Sequence, residues 1–533
     1  MVLNSPPLKH RKLLRTLPLC ALIVAACARG ATHNSSPSDI TIGPPKGTAI
    51  VIGGGTVGAE IMGRFIQLAG GPDALIIDVP TAGGAVTYPQ TTATTTNIRA
   101  NGAKNVVVWH TTDRKLADTD SFVAILSRAR GLWFEGGRQN LLVDAYAGTK
   151  AEVEFRNILA RGGVIAGSSA GASIQGSFLI RGASTSNFIM DAPGRNVGFG
   201  YLKGVGIDQH VVARERLPDL ADSVMKKYPS LLFLSEDEGT AWVVQGNNAE
   251  IIGRNKAFVY NGKDKTDDGN PFLTLHPGDT YNLAARHVTH RASDDSPVTQ
   301  AFVDSLFKAN VGTSAATVLV AQGGKVFVNA SYNVPPQRRY MPTTTMPNFE
   351  LGGISNAMNG ALAQWIVGQN KLSLDDPIAD DGSATVRQFL SREREVPEGD
   401  RKLIALLAAK SGMAYTQLVN RRLYAPTGMH KTAVDSSTGA FRSNVDELYR
   451  WELVMSAGSE GDALASPGAM PGWRSDSYRG AARLSAFGTG DGRRAAFSRF
   501  PDRRASIIVL TDNDAIDARA ITDRLADRLI RTP

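Results

Sequence analysis

The sequence predicts two bodies in succession, an α/β fold built on a parallel sheet and then an α+β fold, and three observations carry that prediction. From residue 48 to about 260, short apolar runs such as "TAIVIGG", "ALIIDVP", "NVVVWH", "GLWFEGG" and "GGVIAGS" end in glycine or turn residues, which is how strands buried on both faces read. Amphipathic stretches lie between them, "AEIMGRFIQLA", "SFVAILSRA" and "KAEVEFRNILA", so strands alternate with helices as βαβ units require. After Gly312 the rhythm changes to "AATVLVAQGGKVFVNASY", two apolar runs about Gly323 and Gly324 that read as an antiparallel hairpin. At 533 residues the chain exceeds one ordinary core, which agrees with two domains.

Taken in order, residues 1–27 read as an export signal. "LKHRKLLR" is a positive leader, and "TLPLCALIVAAC" is an apolar run ending in small residues. The run is shorter than the roughly 20 apolar residues that a membrane-spanning helix needs. Val24-Ala25-Ala26-Cys27 resembles a bacterial lipobox, which makes Cys27 the lipidated first residue of an exported lipoprotein facing the periplasm or cell exterior. An ordinary cleaved signal is the alternative. Residues 28–46 then form a polar tether. The formal charge of +8 falls to +4 once the leader's Lys9, Arg11, Lys12 and Arg15 are removed, and no basic stripe with interleaved aromatics exists, which excludes a nucleic-acid binder.

Cys20 and Cys27 are the only cysteines, so the exported body has no disulfide, thiol nucleophile or thiolate metal site. His287-x-x-His290 could share a helical face, but no third ligand stands nearby, and a surface or loop pair with no metal is the expectation. Gly53-x-Gly55-x-x-Gly58 follows the first strand, with Asp78 20 residues further on. That matches the dinucleotide-binding fingerprint. An exported protein meets little freely dissociating nicotinamide cofactor, and Asp78 in "IIDVPTAGG" is expected on a loop toward a pocket instead.

The boundary between the bodies is set at about 295, where "RHVTHRASDDSP" is polar and turn-rich, giving domains of 47–295 and 296–533. Beyond it, helices are expected around 357–370, 401–424 and 445–457. A strand pair, "AAFSRF" and "ASIIVLTD", and a closing helix, "ARAITDRLADRLI", end the chain.

The stretch "GGVIAGSSAGAS" runs a strand into Gly167-Ser168-Ser169-Ala170-Gly171 and then a small-residue helix. This is the strand–turn–helix context of a G-x-S-x-G nucleophile elbow. A hydroxyl is a poor nucleophile unless it stands exposed on a tight turn beside a base, and small neighbours keep that turn open. "GIDQHVVARERL" places His210 at a strand end among Asp208, Gln209, Arg214 and Arg216. "LSEDEGTAWVV" adds Asp237 and Glu238 before another strand, completing a Ser…His…acid order. "GLWFEGGRQ" offers Gly136 and Gly137 for a second oxyanion donor, and Gln139 as a neutral hydrogen-bonding side chain.

With "IVIGGG", "FEGGRQ", "AGSSAGA", "GVGIDQH" and "EDEGTAWVV" in that order, residues 47–262 resemble the cyanophycinase family of serine peptidases, whose relatives include the aspartyl dipeptidases. The resemblance implies a three-layer αβα fold related to glutamine amidotransferase domains. It implies Ser169 as nucleophile, His210 as general base and Glu238 as the carboxylate orienting the imidazole. The amides of Gly137 and Ala170 would form the oxyanion hole. Gln139, Asp208, Gln209, Arg214 and Arg216 map onto substrate-pocket positions, and arginines suit a substrate with free carboxylates. The reaction implied is acyl transfer through an acyl-enzyme and then water, without metal or cofactor. Two positions depart from the family pattern: Arg138 stands where Asn or Asp is usual, and Asp219 where a basic residue is usual.

The C-terminal half resembles the serine β-lactamase and penicillin-binding-protein fold through "ELGGISNAMNGALAQWIVGQNKLSLDDPIA", "LLAAKSGMAYTQLVNRRLYAPTGMHKTAV" and "GDGRRAAFSRFPDRRASIIVLTDN". That family's S-x-x-K falls on Gly353 and Asn356, its Y-x-N has no counterpart, and its late H-x-G or K-T-G aligns with Ala486-Phe487-Gly488. An inert domain is therefore expected. The reading as a whole is an exported serine peptidase acting on aspartyl-linked peptides, with the membrane as a second partner through its lipid and a homodimer left open. The rivals are a non-catalytic binding lipoprotein built from two hydrolase folds, and a hydrolase acting through Ser355 of the second domain.

Overall fold

A computed structural model describes residues 40–263, 269–307, 312, 314–334, 348–457, 470–488 and 494–530. The leader, Cys27 and the tether as far as residue 39 lie outside the described residues.

The first-domain strands are β1 (Thr48–Ile52), β2 (Ile76–Val79), β3 (Val106–Val108), β4 (Gly131–Phe134), β5 (Val164–Ser168), β6 (Gly176–Phe178) and β7 (Leu202–Gln209). They continue with β8 (Leu232–Glu236), β9 (Thr240–Gln245), β10 (Asn248–Gly253), β11 (Ala257–Tyr260), β12 (Leu273–Leu275), β13 (Thr280–Asn282) and β14 (His287–His290). A nine-stranded sheet runs β14-β13-β10-β9-β1-β5-β4-β2-β3, parallel from β1 to β3 and antiparallel on the other side of β1. A five-stranded sheet, β12-β11-β8-β7-β6, lies beside it.

Alternation along each strand builds the layers. Ile50 and Ile52 of β1, Ile76 of β2 and Trp133 of β4 pack with Ile61, Phe65 and Ile66 of the helix Ala59–Ala69. Their neighbours Val51, Ile77 and Leu132 face the other way, onto Phe155 and Ile158 of the helix Lys150–Ala160. Side chains on both faces are thus removed from water, which is why these strands read as unbroken apolar runs. Each such buried Phe or Ile contributes about 1.5–3 kcal/mol. The three-layer αβα expectation is met. Residues 40–46 lie along this domain's edge, with Gly43 N donating to Gly246 O at 2.8 Å and Ile42 N to Asn247 Oδ1 at 2.8 Å. His287 and His290 stand on strand β14, so their three-residue spacing points them to opposite faces.

The second domain has a six-stranded antiparallel sheet. Its order is Lys325–Tyr332, Ala316–Gln322, Ala505–Thr511, Ala495–Phe500, Ala481–Phe487, Arg474–Tyr478. Ile521 and Leu525 of the closing helix Ala518–Leu529 cover one face, on Val318, Val320, Ile507 and Val509. The helices Gly353–Val367, Gly399–Ser411 and Val445–Ala457 cover the other, on Leu319, Ile508 and Leu510. The first sheet's last strand ends at His290, and the helix Gln300–Phe307 already packs Val303, Leu306 and Phe307 with the second sheet.

Candidate active site

Strand β5 ends at Ser168, and the next residue, Ser169, turns the chain with φ 57° and ψ −111° into the short helix Ala170–Ser173. A non-glycine residue in that region costs about 1–3 kcal/mol and persists only where its surroundings hold it. Here Ser169 N donates to Ile52 O at 2.9 Å, extending the β1 ladder by one residue. Glycine is required on both sides: a Cβ on Gly167 would lie 2.0 Å from Gly171 O, and one on Gly171 2.2 Å from Phe134 O.

His210 follows β7 directly, also at positive φ (57°), and its N–H donates to Gly53 O at 3.0 Å. Glu238 stands between β8 and β9. The parallel pairing of β7 with β8, and of β1 with β5, delivers all three side chains to one end of the sheets. His210 Nδ1 lies 2.6 Å from Glu238 Oε1, and His210 Nε2 lies 2.9 Å from Ser169 Oγ. With Nδ1–H donating to the carboxylate, Nε2 is left to accept the serine proton. Burial alone would raise the pKa of Glu238, but hydrogen bonds from His210 and from His430 outweigh it and hold the carboxyl far below the ordinary range.

The glycines after β1 serve this arrangement. A Cβ on Gly54 would lie 2.1 Å from His210 Cε1, one on Gly55 2.7 Å from Glu238 Oε2, and one on Gly53 2.2 Å from Asp237 O. The backbone approaches an imidazole and a carboxylate there, where a dinucleotide-binding turn would approach a pyrophosphate. Asp78, fully buried at the end of β2, faces Glu135. Burial first, and then the Glu135 charge and hydrogen bond, push its pKa up to about 9. Thr92 Oγ1 sits 3.2 Å from Asp78 Oδ2 and 3.1 Å from Glu135 Oε1. A carboxyl kept protonated in this way is a poor acceptor for a ribose hydroxyl.

The turn bearing Gly136 and Gly137 abuts the serine: a Cβ on Gly136 would lie 3.3 Å from Ser169 Cβ and 3.9 Å from its Oγ. Gly137 has φ 140°, and a Cβ on it would meet Ala82 O at 2.1 Å. The amide of Ala170, in the first turn of its helix, has no intrahelical acceptor. The Gly136 turn and the Ala170 amide therefore stand beside Ser169.

The substrate-pocket candidates divide. Gln139 is buried and spends its amide N–H groups on Ile180 O and Arg181 O, both at 2.9 Å. Asp208, fully buried, accepts from Arg181 Nε at 2.9 Å and Nη2 at 3.0 Å. Arg216 Nη1 donates to Gln209 O at 3.1 Å and Gln209 Oε1 at 3.2 Å, and Gln209 Nε2 lies 3.4 Å from Ser173 Oγ. These four form a buried scaffold under the site. Arg214 instead stands exposed on the turn after His210. Asp219, the charge-reversed position, takes Arg181 Nη2 at 2.6 Å. Arg138 Nη2 donates to Ala183 O at 2.8 Å.

Two residues escape the sequence reading. Arg181 is 1% exposed and joins Asp208 to Asp219; no sequence signal pointed to it, since Arg214 and Arg216 already stood beside those acids. His430 reaches Glu238 from the second domain, with Nε2 2.6 Å from Oε2. No group of three or more metal-ligating side chains occurs among the described residues.

In the second domain a cavity of about 590 Å³ is lined by Gly353, Asn356, Trp473, Arg474, Phe487 and Arg519. A Cβ on Gly353 would lie 2.0 Å from Phe487 O, so no side chain fits there. Asn356 Nδ2 lies 3.3 Å from Leu390 O. Ser355 is buried, and its Oγ accepts from Phe441 N at 2.9 Å, so it does not face the cavity as a free nucleophile.

A serine, a histidine and a glutamate in hydrogen-bonded series at the end of an αβα sheet define a hydrolase of the nucleophilic-serine class. Comparison places it more closely. Residues 49–252 match the model of peptidase family S51, which supports a serine-type peptidase in the N-terminal half of the chain. The chain is similar to the cyanophycinase of Synechococcus elongatus, 29% identical over 272 residues that cover 46% of this chain and 82% of that protein. Among solved structures it is similar to a peptidase from an acI-B1 Actinobacterium, at 21% identity and TM-score 0.35, covering 45% of this chain and 97% of that one. It is also similar to a beta-lactamase/D-alanine carboxypeptidase from Pseudomonas syringae, at 14% identity and TM-score 0.36, covering 45% and 98%.

Proposed function

We propose that the N-terminal domain hydrolyses aspartyl-linked peptides through a Ser169 acyl-enzyme, and that the protein does so outside the cytoplasm, held to a membrane by lipid on Cys27. The observation that carries the chemistry is the series Ser169 Oγ, His210 Nε2, His210 Nδ1, Glu238 Oε1, with separations of 2.9 and 2.6 Å at its two hydrogen bonds. In this reading Ser169 Oγ attacks the scissile carbonyl as His210 Nε2 takes its proton. The carbonyl oxygen turns toward the amides of Gly137 and Ala170, and His210 returns the proton to the leaving amine. Water activated by the same imidazole then frees the acyl group. Glu238 stays ionised throughout and orients the imidazole.

Arg214 supports an acidic substrate, because a guanidinium on an open rim can grip a free carboxylate. Arg181 and Arg216 contribute less, since Asp208 and Asp219 offset their charge. A pocket so balanced favours small aspartyl or isoaspartyl peptides at least as well as the polymer cyanophycin. The second domain is read as non-catalytic, on the blocked Gly353 position and the engaged Ser355 hydroxyl.

The test is incubation of the protein and its Ser169→Ala variant with cyanophycin and with α- and β-aspartyl dipeptides, products being read by mass spectrometry. Serine-dependent release is expected. Release of β-Asp-Arg would establish cyanophycin as a substrate, whereas cleavage of dipeptides alone would keep the mechanism and narrow the substrate. No product from folded protein across the panel would overturn the assignment in favour of a binding protein.

A further inference from the structure

The carboxylate of Glu238 is shared between two histidines from different domains. Its Oε1 faces His210, and its Oε2 faces His430 Nε2 at 2.6 Å. His430 sits just past the short helix Ala425–Thr427, in a loop that rests on the glycine-rich turn of the first domain. Thr56 Oγ1 donates to Ala425 O at 3.0 Å, and Arg450 Nη1 donates to Gly428 O. The contact is reinforced from behind. Asp237, beside Glu238, faces Arg450 Nη2 at 3.4 Å while its other oxygen accepts from Val212 N and Ala213 N at 3.1 and 2.9 Å. Buried Lys256 meets Asp446 at 3.1 Å, and Asn329 Nδ2 braces Asp446 at 2.7 Å.

We propose that His430 is a positioning residue for the peptidase site: the second domain supplies the N–H that fixes the second oxygen of the orienting acid. This rests on the reading of Ser169, His210 and Glu238 as the reacting triad. The terminal torsion of a glutamate is soft, with no sharp staggered wells. A single hydrogen bond to His210 leaves the carboxylate free to rock, and a donor on the opposite oxygen sets its plane. The Glu238 side chain is only 12% exposed, so an Oε2 without a donor would also be poorly served by water. The charges around His430 suit the task. Glu238 first, and Glu447 further off, favour its protonated form, while partial burial and Arg450 oppose it, and the net pKa is raised. The second domain thus completes the site of the neighbouring one.

The experiment uses the full chain and the second-order rate at which a fluorophosphonate labels Ser169, followed by intact-mass analysis, so no natural substrate need be known. Wild type labels at Ser169 and Ser169→Ala does not. His430→Ala is expected to label about tenfold more slowly, the size of one hydrogen bond to a charged group partly lost. His430→Gln, which keeps an N–H at the same reach, is expected close to wild type. Added imidazole should restore part of the His430→Ala rate, because the ring's place is half exposed (48%). Thr56→Ala, which breaks an interdomain hydrogen bond that does not touch Glu238, should lower the melting temperature without slowing labelling as His430→Ala does.

Wild-type labelling rates in both His430 variants would overturn the inference while leaving the triad intact. So would a slow His430→Ala that neither glutamine nor imidazole restores, since that is the mark of a structural lesion. If wild type fails to label at Ser169, the triad reading itself falls, and this inference with it.

Discussion

Replacing Gly54 by alanine tests the geometry of the site through a residue that carries no chemistry. The new Cβ would stand 2.1 Å from His210 Cε1 and 2.4 Å from Nε2, at a backbone φ of 95° that alanine resists. Ordinary carbon contacts begin near about 3.5 Å, so the ring must retreat by about 1.4 Å. The Ser169–His210 hydrogen bond is 2.9 Å long. Such a retreat carries it beyond the reach of about 3.2 Å within which a general base works. A misplacement of about 1 Å costs roughly a hundredfold in rate. Fluorophosphonate labelling of Ser169 and turnover of an aspartyl dipeptide should therefore both fall by at least that factor. The overpacked turn should cost about 1–3 kcal/mol in a urea melt. A Gly54→Ala protein that labels Ser169 within a factor of a few of wild type would refute the reasoning, because the turn could not then lie against the imidazole. Binding of NAD by wild type but not by the variant would return the turn to a nucleotide role.

Two further outcomes follow from groups buried near the site. Arg181→Met leaves Asp208 buried without its bidentate cation and should cost about 3–5 kcal/mol in urea, with part recovered in the Arg181→Met, Asp208→Asn double variant. Asp78→Asn should raise the melting temperature, and the gain should grow from pH 5 to pH 9. The folded carboxyl is pushed up to about 9 from the ordinary 3.8 by its burial, so between those limits the folded state holds a proton that the unfolded chain has released. Wild-type stability then declines as pH rises through the window, while the amide variant is spared. Parallel melting curves for the two proteins across that range would count against a protonated Asp78.

The central strands were legible because a strand covered on both faces must be apolar at every position, and "AIVI" and "GLWF" are. The elbow was legible because glycine is forced at Gly167 and Gly171 by backbone contacts that recur wherever a nucleophile stands on such a turn. The choice between neighbouring acids was harder. Asp237 and Glu238 are adjacent, and only the turn conformation sends Glu238 to His210 and Asp237 to the amides of Val212 and Ala213. Resemblance to a family identified Glu238 where spacing could not. The arginines misled for a related reason: a sequence displays charge but not its partner, and Arg216 points inward at Gln209. Arg181 and His430 were hidden because each meets its acid only after distant segments are brought together. His430 also lies in a stretch, "APTGMHKT", whose other residues already account for it as part of a second fold.

Lys256 is 4% exposed, and the acid that neutralises it belongs to the other domain. Any homologous second domain grafted in place of the present one would have to bring an acid at position 446, an arginine at 450 and a donor at 430, or leave an ammonium sealed without a counter-charge at a cost of about 3–5 kcal/mol. Modularity has therefore been surrendered at this junction. The two halves are joined by a buried charge pair, and neither can be exchanged alone without that cost.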